Sequence, residues 1–293
     1  MTGGTTETMA SSDDRQRRRP SFGEDWAAPD TRRALLALCG VFTVAAVMAA
    51  FPYDEAARLW AEGVTGLTRD VFRALTRWGK SDWLLVPLGV AVLLLHLLPR
   101  ISPARPSRDL AVFGRRVEFL FLAILVSGLL AVLLKYGLGH PRPSVADAAG
   151  PIRFSLDADY ASFPSGHSTT VGALAMALAL LVPWTAVLAV PFAAGVALSR
   201  VVVGAHHLSD VIAGLGLGAW TVIALALVLA AKGRGFSPGP GALPVPERYA
   251  LDEFRRDLVA FLGFCLASSK ALANIRHRRP PRQDDLPPPR NRP

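Results

Sequence analysis

The stretch SRVVVGAHHLSD, residues 199–210, places an arginine, two histidines and an aspartate between two long apolar runs. Ionised side chains at membrane depth are costly without partners, so polar residues at such a position indicate a functional site. On a helix, His206 and Asp210 are four residues apart and share a face. The carboxylate would then accept one imidazole N–H and leave the other nitrogen's lone pair free, which is the arrangement of an oriented nucleophile. His207, three residues from Asp210, is an alternative for that role, and the pair could instead simply cap a helix.

Other polar residues lie at the ends of neighbouring apolar runs. Lys135 and Arg142 stand at the exit of one run, and Ser165-Gly166-His167 precede the next. In an up-and-down bundle these segments and the 199–210 turn meet at one membrane face. Cationic side chains and the free N–H groups of a helix N-terminus together suit a phosphate. The residues predicted to bind it are Lys135, Arg142, Ser165, Gly166 and Arg200.

Two of these signals have plainer readings when taken alone. The PSGH sequence at 164–167 is also typical of a capped helix start, and an arginine near the end of a span can extend toward the interface. Metal binding by His167, His206 and His207 is disfavoured because adjacent histidines on a helix diverge and only one carboxylate is near. We therefore predict no metal and no cofactor.

The elements that position these residues are predicted to be membrane-spanning helices. The chain of 293 residues is 51% hydrophobic and only 19% charged. Six apolar runs approach the ~20 residues needed to cross a bilayer. They are Ala34 to Phe51, Trp83 to Leu98, Phe119 to Leu138, Ser168 to Val182, Thr185 to Gly204 and Val211 to Ala231. The predicted fold class is all-α, a bundle of six transmembrane helices with short surface helices and disordered tails.

The distribution of cations predicts the orientation. Five arginines lie in the loop 100–116, and Lys232 and Arg234 begin the C-terminal tail. Cationic loops favour the cytoplasm, so both termini are predicted there and the polar face on the extracytoplasmic side of the cell membrane. The outer loop 52–82 also carries five cations, which this orientation leaves unexplained.

The segments outside the spans are assigned by composition. Residues 1–33 are predicted to be a disordered tail, 34–232 the membrane domain, and 233–293 a basic cytoplasmic tail with an amphipathic helix at 251–266. A second amphipathic helix, from Leu59 to Trp78, is predicted to lie on the membrane surface or to pack on the bundle. The first run also resembles a signal sequence ending at Cys39, but the long tail before it favours a retained span.

Composition also limits the function classes. Two cysteines provide no disulfide framework. The net charge of +9 lies mostly in the tails and has no accompanying aromatic-basic motif, so we predict contact with membrane lipids and no nucleic-acid partner.

The three polar segments together resemble the type 2 phosphatidic acid phosphatase superfamily. These are integral membrane lipid phosphatases that share a core with vanadium-dependent haloperoxidases. The family pattern is lysine, six residues and Arg-Pro, then Pro-Ser-Gly-His, then Ser-Arg, five residues, His, three residues and Asp. The chain has KYGLGHPRP at 135–143, PSGH at 164–167 and SRVVVGAHHLSD at 199–210. Three motifs that agree in order and spacing are a specific signal, although each alone is weak.

The resemblance implies a role for each matching position. His206 would attack phosphorus to form a phosphohistidine, with Asp210 orienting it, since the spacing from Arg200 selects His206 over His207. His167 would protonate the leaving alkoxide and then activate water. Lys135, Arg142, Ser165, Gly166 and Arg200 would hold the non-bridging oxygens. The resemblance assigns nothing to His140.

The predicted function is therefore hydrolysis of a lipid phosphomonoester or pyrophosphate. Phosphatidate, phosphatidylglycerophosphate and polyprenyl pyrophosphate all present a phosphate on an apolar anchor, and the motifs do not separate them. One alternative is a vanadate-dependent haloperoxidase, although those relatives are generally soluble. Another is a non-catalytic lipid-binding or transport protein. The oligomeric state does not follow from the sequence.

Overall fold

The computed structural model describes residues 29–101, 108–145, 154–238, 244–246 and 251–277. The described α-helices are α1 (Pro29–Gly63), α2 (Gly66–Leu75), α3 (Asp82–Ile101), α4 (Arg108–Leu138), α5 (Gly166–Leu181), α6 (Ala186–Val202), α7 (Leu208–Ala231) and α8 (Leu251–His277). Short 3-10 turns occupy Thr76–Gly79, Ala158–Tyr160 and Pro183–Thr185. Strands β1 (Phe236–Pro238) and β2 (Pro244–Pro246) pair antiparallel.

The prediction of six membrane spans is confirmed in part. Four described helical segments are long and apolar enough to cross a membrane, by length and composition: Gly66–Leu97, Leu110–Leu138, Pro183–Val202 and Leu208–Ala231. Helix α5 is apolar but has only 16 residues. The predicted first span lies inside α1, whose side chains are described only in part. The 3-10 turn at Pro183–Thr185 separates α5 from α6, near the boundary between the two predicted apolar runs.

The outer segment differs from the prediction. A single amphipathic helix from Leu59 to Trp78 was expected, but α1 continues to Gly63 and a break at Val64–Thr65 separates it from α2. Two β-branched residues between two glycines disfavour helix there, and Gly66 adopts a φ of 59° that favours glycine. Leu67 of α2 is exposed while Leu75 packs against α6, so α2 partly covers the bundle.

Helices α5 and α7 form the closest pair, and small residues permit their approach. A Cβ added to Gly172 would lie 2.5 Å from the carbonyl oxygen of Leu215. One added to Gly214 would lie 2.8 Å from the Cβ of Ser168. Small residues at these positions let two helix backbones pack closely. This contact fixes the start of α5 against the start of α7, where the motif residues lie.

The C-terminal segment contributes elements that the all-α prediction did not include. The β1–β2 ribbon is small, and Phe236 of β1 packs on Phe119 of α4 with ring centroids 4.7 Å apart. The amphipathic segment 251–266 is helical, as predicted, within the longer α8. Its Phe264 is buried against Leu110 of α4, whereas Leu262 is exposed.

The predicted disordered tails lie mostly outside the described residues, which exclude 1–28 and 278–293. Residues 29–33, assigned to the N-terminal tail, are helical in α1. The division of the chain at residues 33 and 232 stays a prediction.

Candidate active site

The three motif segments meet at one end of the bundle. The Lys135 ammonium, in the last turn of α4, donates to the carbonyl oxygen of Ala161 at 3.0 Å. The Arg142 guanidinium donates to the carbonyl of Ala205 at 3.3 Å. The backbone N–H of Ser165, which caps α5, donates to the carbonyl of Asp210 at 3.0 Å. Segments far apart in sequence are therefore brought to one site, as the up-and-down arrangement predicted.

Asp210 is the most heavily bonded side chain of the site and is 0% exposed. Its Oδ1 lies 3.1 Å from Nδ1 of His140. Its Oδ2 accepts from the hydroxyl of Ser162 at 2.5 Å and from the backbone N–H of His207 at 2.9 Å, and lies 3.5 Å from Nδ1 of His206. A buried carboxylate needs such a set of donors to remain ionised. Asp210 thus ties the start of α7 to two distant segments.

His206 is nearly buried, at 4% exposure, and its ring is oriented through Nδ1. That nitrogen lies 3.3 Å from Oγ of Ser162, whose hydroxyl in turn donates to Asp210. A proton on Nδ1 satisfies this chain and leaves the lone pair on Nε2. Burial, aided by the charges of Lys135 and Arg200, lowers the pKa of His206 to about 4, although Asp210 opposes the shift. The imidazole is therefore neutral near pH 7.

His207 faces a different partner from its neighbour. Its Nε2 lies 3.3 Å from the carbonyl oxygen of Pro141, and its backbone N–H caps α7 through Asp210. Because a carbonyl only accepts hydrogen bonds, Nε2 carries a proton in that contact and has no lone pair to offer. The geometry separates two histidines that are adjacent in sequence.

The cations of the site bond to neutral oxygens. Lys135 and Arg142 donate to backbone carbonyls, and Arg200 donates from Nη1 to the hydroxyl of Thr76 at 2.7 Å. The buried Nε of Arg200 has no hydrogen-bond partner. Within the described ranges, none of the three forms an ion pair with a carboxylate, so their charge is available to a bound anion.

Two residues at the start of α5 differ in accessibility. Ser165 is 0% exposed, and its Oγ accepts from the N–H of Ser168 at 3.5 Å. A Cβ added to Gly166 would meet nothing within 4 Å, so the backbone there has an open flank. Gly166 is the first residue of α5, and the N–H groups of a helix N-terminus are donors that suit an anion.

His167 lies beside Gly79, the last residue of the 3-10 turn that follows α2. A Cβ at Gly79 would lie 2.6 Å from Cδ2 of His167, so only glycine allows the ring this position. Burial, with the nearby charges of Arg200, His206 and Lys135, lowers the pKa of His167 to about 4, so its imidazole is neutral near pH 7 until a bound anion raises that pKa. All eight residues predicted for the site thus lie around the same end of the bundle.

The structure adds residues that the sequence did not single out. Ser162 bridges His206 and Asp210, and Thr76 holds Arg200. Asp54, in the extension of α1, accepts from the N–H and the hydroxyl of Ser209, each at 2.7 Å. No spacing rule points to these three side chains, since each partner is remote in sequence.

His140 was noted in the sequence without a role, and the structure places it on Asp210. Burial alone would lower the pKa of its imidazole, but the hydrogen bond and charge of Asp210 outweigh burial and raise it. His140, His207 and Asp210 are also a metal-compatible group, with one ligand atom each within 4.8 Å of one another. This group is not the set of His167, His206 and His207 that the sequence analysis considered for metal binding. The carboxylate oxygens of Asp210 are also already occupied by hydrogen-bonding contacts.

Comparison with known proteins gives a consistent set of similarities. A family model described as PAP2 superfamily matches residues 117–234. The chain is 37% identical over 187 residues to a lipid A 1-phosphatase of Rhizobium etli, covering 61% of this chain and 79% of that protein. It is 33% identical over 120 residues to an undecaprenyl-diphosphatase of Sulfolobus acidocaldarius, covering 39% of this chain and 58% of that protein.

One solved structure is also similar. It is a transmembrane PAP2 type phosphatidylglycerolphosphate phosphatase from Bacillus subtilis, with a TM-score of 0.46 and 22% identity, covering 68% of this chain and 94% of that chain.

Proposed function

The chain belongs to the PAP2 superfamily, and on that premise we propose that it removes the terminal phosphate of a membrane lipid. The family resemblance drawn from the three motifs is thereby confirmed. The substrate is a lipid phosphomonoester or a lipid diphosphate. The observation that carries the proposal is a neutral, buried imidazole linked to Asp210 and surrounded by three cations without carboxylate partners.

The first chemical step transfers the phosphoryl group to the protein. Nε2 of His206 forms a bond to phosphorus while the bond from phosphorus to the leaving oxygen breaks, and His167, protonated when the phosphate dianion binds beside it, gives that oxygen a proton. The imidazole becomes cationic as it reacts. Asp210, held ionised by its donors, stabilises that charge and fixes the ring.

The second step regenerates the enzyme. His167, now neutral, takes a proton from water, the water oxygen bonds to phosphorus, and the bond from phosphorus to Nε2 of His206 breaks. Inorganic phosphate is released. Throughout both steps Lys135, Arg142 and Arg200, with the backbone around Ser165 and Gly166, hold the non-bridging oxygens as their charge changes.

The proposed setting is the extracytoplasmic face of the cell membrane, with both termini in the cytoplasm. Four spans with apolar surfaces support a multi-pass protein. The lipid tail would enter from the bilayer between helices, so the membrane itself supplies the substrate. Residues 34–232 would form the phosphatase domain and 233–293 a cytoplasmic segment.

Phosphate release by the purified full chain tests the function and narrows the substrate. We expect detergent-solubilised protein to release phosphate from at least one of phosphatidate, phosphatidylglycerophosphate and a polyprenyl diphosphate. No release from any of the three, with transport of lipid across vesicles instead, would overturn the proposal.

Chelation and vanadate form a second test. Because histidine rather than a metal hydroxide attacks phosphorus, we expect activity to persist in excess EDTA and to be inhibited by vanadate, which mimics five-coordinate phosphorus. The measurement is the initial rate of phosphate release under each condition. Abolition by EDTA that added divalent metal restores would contradict the mechanism.

The dependence on pH provides a third test. A lowered pKa means that His206 stays neutral until the pH falls to about 4, so its reactivity is lost only as the pH falls through that value. We expect the acidic limb of kcat/KM to lie well below the usual histidine pKa of about 6.5, after correction for titration of the substrate phosphate. A limb near 6.5 that remains after this correction would show that the attacking group is not a buried imidazole.

A further inference from the structure

A cavity of about 220 Å³ opens beside the candidate active site. His206 and His207 form part of its lining, and Arg58, Glu62 and Arg69 of the outer segment form another part. By this measure a single water needs only about 10–15 Å³. The cavity therefore has room for a polyatomic group next to the proposed nucleophile.

Most charged side chains that line this cavity already form ion pairs or hydrogen bonds with other groups of the protein. Arg58 donates from Nη2 to Glu55 at 2.6 Å, and from Nη1 to Glu62. The carboxylate of Asp54, also in the lining, accepts the N–H and hydroxyl of Ser209. These charges satisfy one another within α1 and at the start of α7.

Arg69 is different, because its guanidinium is poorly satisfied. Nη1 donates one long hydrogen bond to the carbonyl of Val64, at 3.4 Å, and the buried Nε has no partner. A partly buried cation with unused donors is costly, and an anion that accepts from it would offset that cost. The planar fork of arginine suits two oxygens of a phosphate.

We propose that Arg69 binds a second phosphate of the substrate headgroup, one that is not transferred. Lys135, Arg142 and Arg200, which hold the transferred phosphoryl group, do not line this cavity, whereas His206 does, so the nucleophile is the residue that joins the two subsites. This inference rests on the proposed phosphatase function and specifies its substrate as a headgroup with two phosphates. The proposal also assigns a function to Arg69, one of the five outer-loop cations that the predicted membrane orientation does not explain.

The experiment compares farnesyl diphosphate with farnesyl monophosphate, which have the same lipid tail. We expect the wild type to prefer the diphosphate. Arg69→Gln should lower kcat/KM for the diphosphate relative to the monophosphate by about 10- to 100-fold, the effect of losing a charge-assisted hydrogen bond. Initial rates of phosphate release in detergent give both constants.

Arg73→Gln is the matched control. Arg73 is on the same helix as Arg69 but is exposed and pairs with Asp70 at 3.2 Å. It loses the same charge one helical turn away on α2, so a general surface effect would appear in both variants. We expect the diphosphate-to-monophosphate ratio to be unchanged in Arg73→Gln.

Three results would overturn the inference. The first is an Arg69→Gln variant with the wild-type ratio of kcat/KM for the diphosphate to kcat/KM for the monophosphate. This result would show that Arg69 does not bind a second phosphate, whether both rates fall equally or neither falls. A loss that affects both substrates and grows with the phosphatidylglycerol content of vesicles would assign Arg69 to bulk lipid headgroups. Wild-type protein that hydrolyses neither probe nor the three lipids above would overturn the proposed function, and this inference with it.

Discussion

Replacing His206 by alanine is expected to lower phosphate release from any lipid substrate by at least about 10⁴-fold, because the covalent route disappears with its nucleophile. His206 is the imidazole whose Nδ1 faces Ser162 and Asp210 and whose Nε2 is left for attack. The measurement is kcat in detergent, with folding checked by size-exclusion chromatography and thermal unfolding.

His207→Ala is the matched control for that experiment. It removes an adjacent imidazole whose Nε2 contacts the carbonyl of Pro141, while its backbone N–H to Asp210 remains. Loss of one such hydrogen bond corresponds to a decrease of less than about 10-fold. Equal losses in the two variants would contradict the assignment of His206 as nucleophile.

Replacing His167 by alanine is expected to reduce turnover of a lipid phosphomonoester by about 10²- to 10⁴-fold, the usual contribution of a general acid. A lipid alkoxide is a poor leaving group, so it depends on the proton that His167 supplies. p-Nitrophenyl phosphate has a good leaving group and needs no proton at the first step. With that substrate the variant should form the phosphoenzyme and then hydrolyse it slowly.

The trapped intermediate is the direct readout for His167→Ala. We expect an acid-labile, alkali-stable phosphoryl label on the protein, and none in the double variant His167→Ala/His206→Ala. His96→Ala controls for removal of a histidine, because His96 is exposed and bonds within α3 to the carbonyl of Val92. Equal losses with lipid and p-nitrophenyl substrates, without label, would remove His167 from the role of general acid.

The structure also clarifies why Asp210 is central to both experiments. Its carboxylate accepts from the hydroxyl of Ser162, 48 residues away, and lies 3.1 Å from Nδ1 of His140 and 3.5 Å from Nδ1 of His206, which are 70 and 4 residues away. A His206 variant leaves these other donors in place, so the carboxylate stays satisfied and the fold should survive. The catalytic loss can then be separated from a loss of stability.

Local chemistry in the sequence determined the motif residues and the type of elements that carry them. Apolar runs predict helices because a backbone in lipid must satisfy its own hydrogen bonds, and the four-residue spacing of His206 and Asp210 is a near-neighbour relation. The meeting of the three motifs followed from their positions at the ends of successive runs. The extension of α1 to Gly63 and the break at Val64–Thr65 were missed.

Only the tertiary structure decided which groups complete the site. The geometry distinguishes His206 from His207 through the Pro141 carbonyl, and it brings Ser162 and His140 to Asp210. It also places Arg69 on a cavity shared with His206. These contacts depend on how the loops cross the end of the bundle. They also depend on which polar groups are buried and must bond to protein atoms because water cannot reach them. Spacing along a chain reports neighbours on one helix, whereas hydrogen bonds between remote segments form only after the helices have packed.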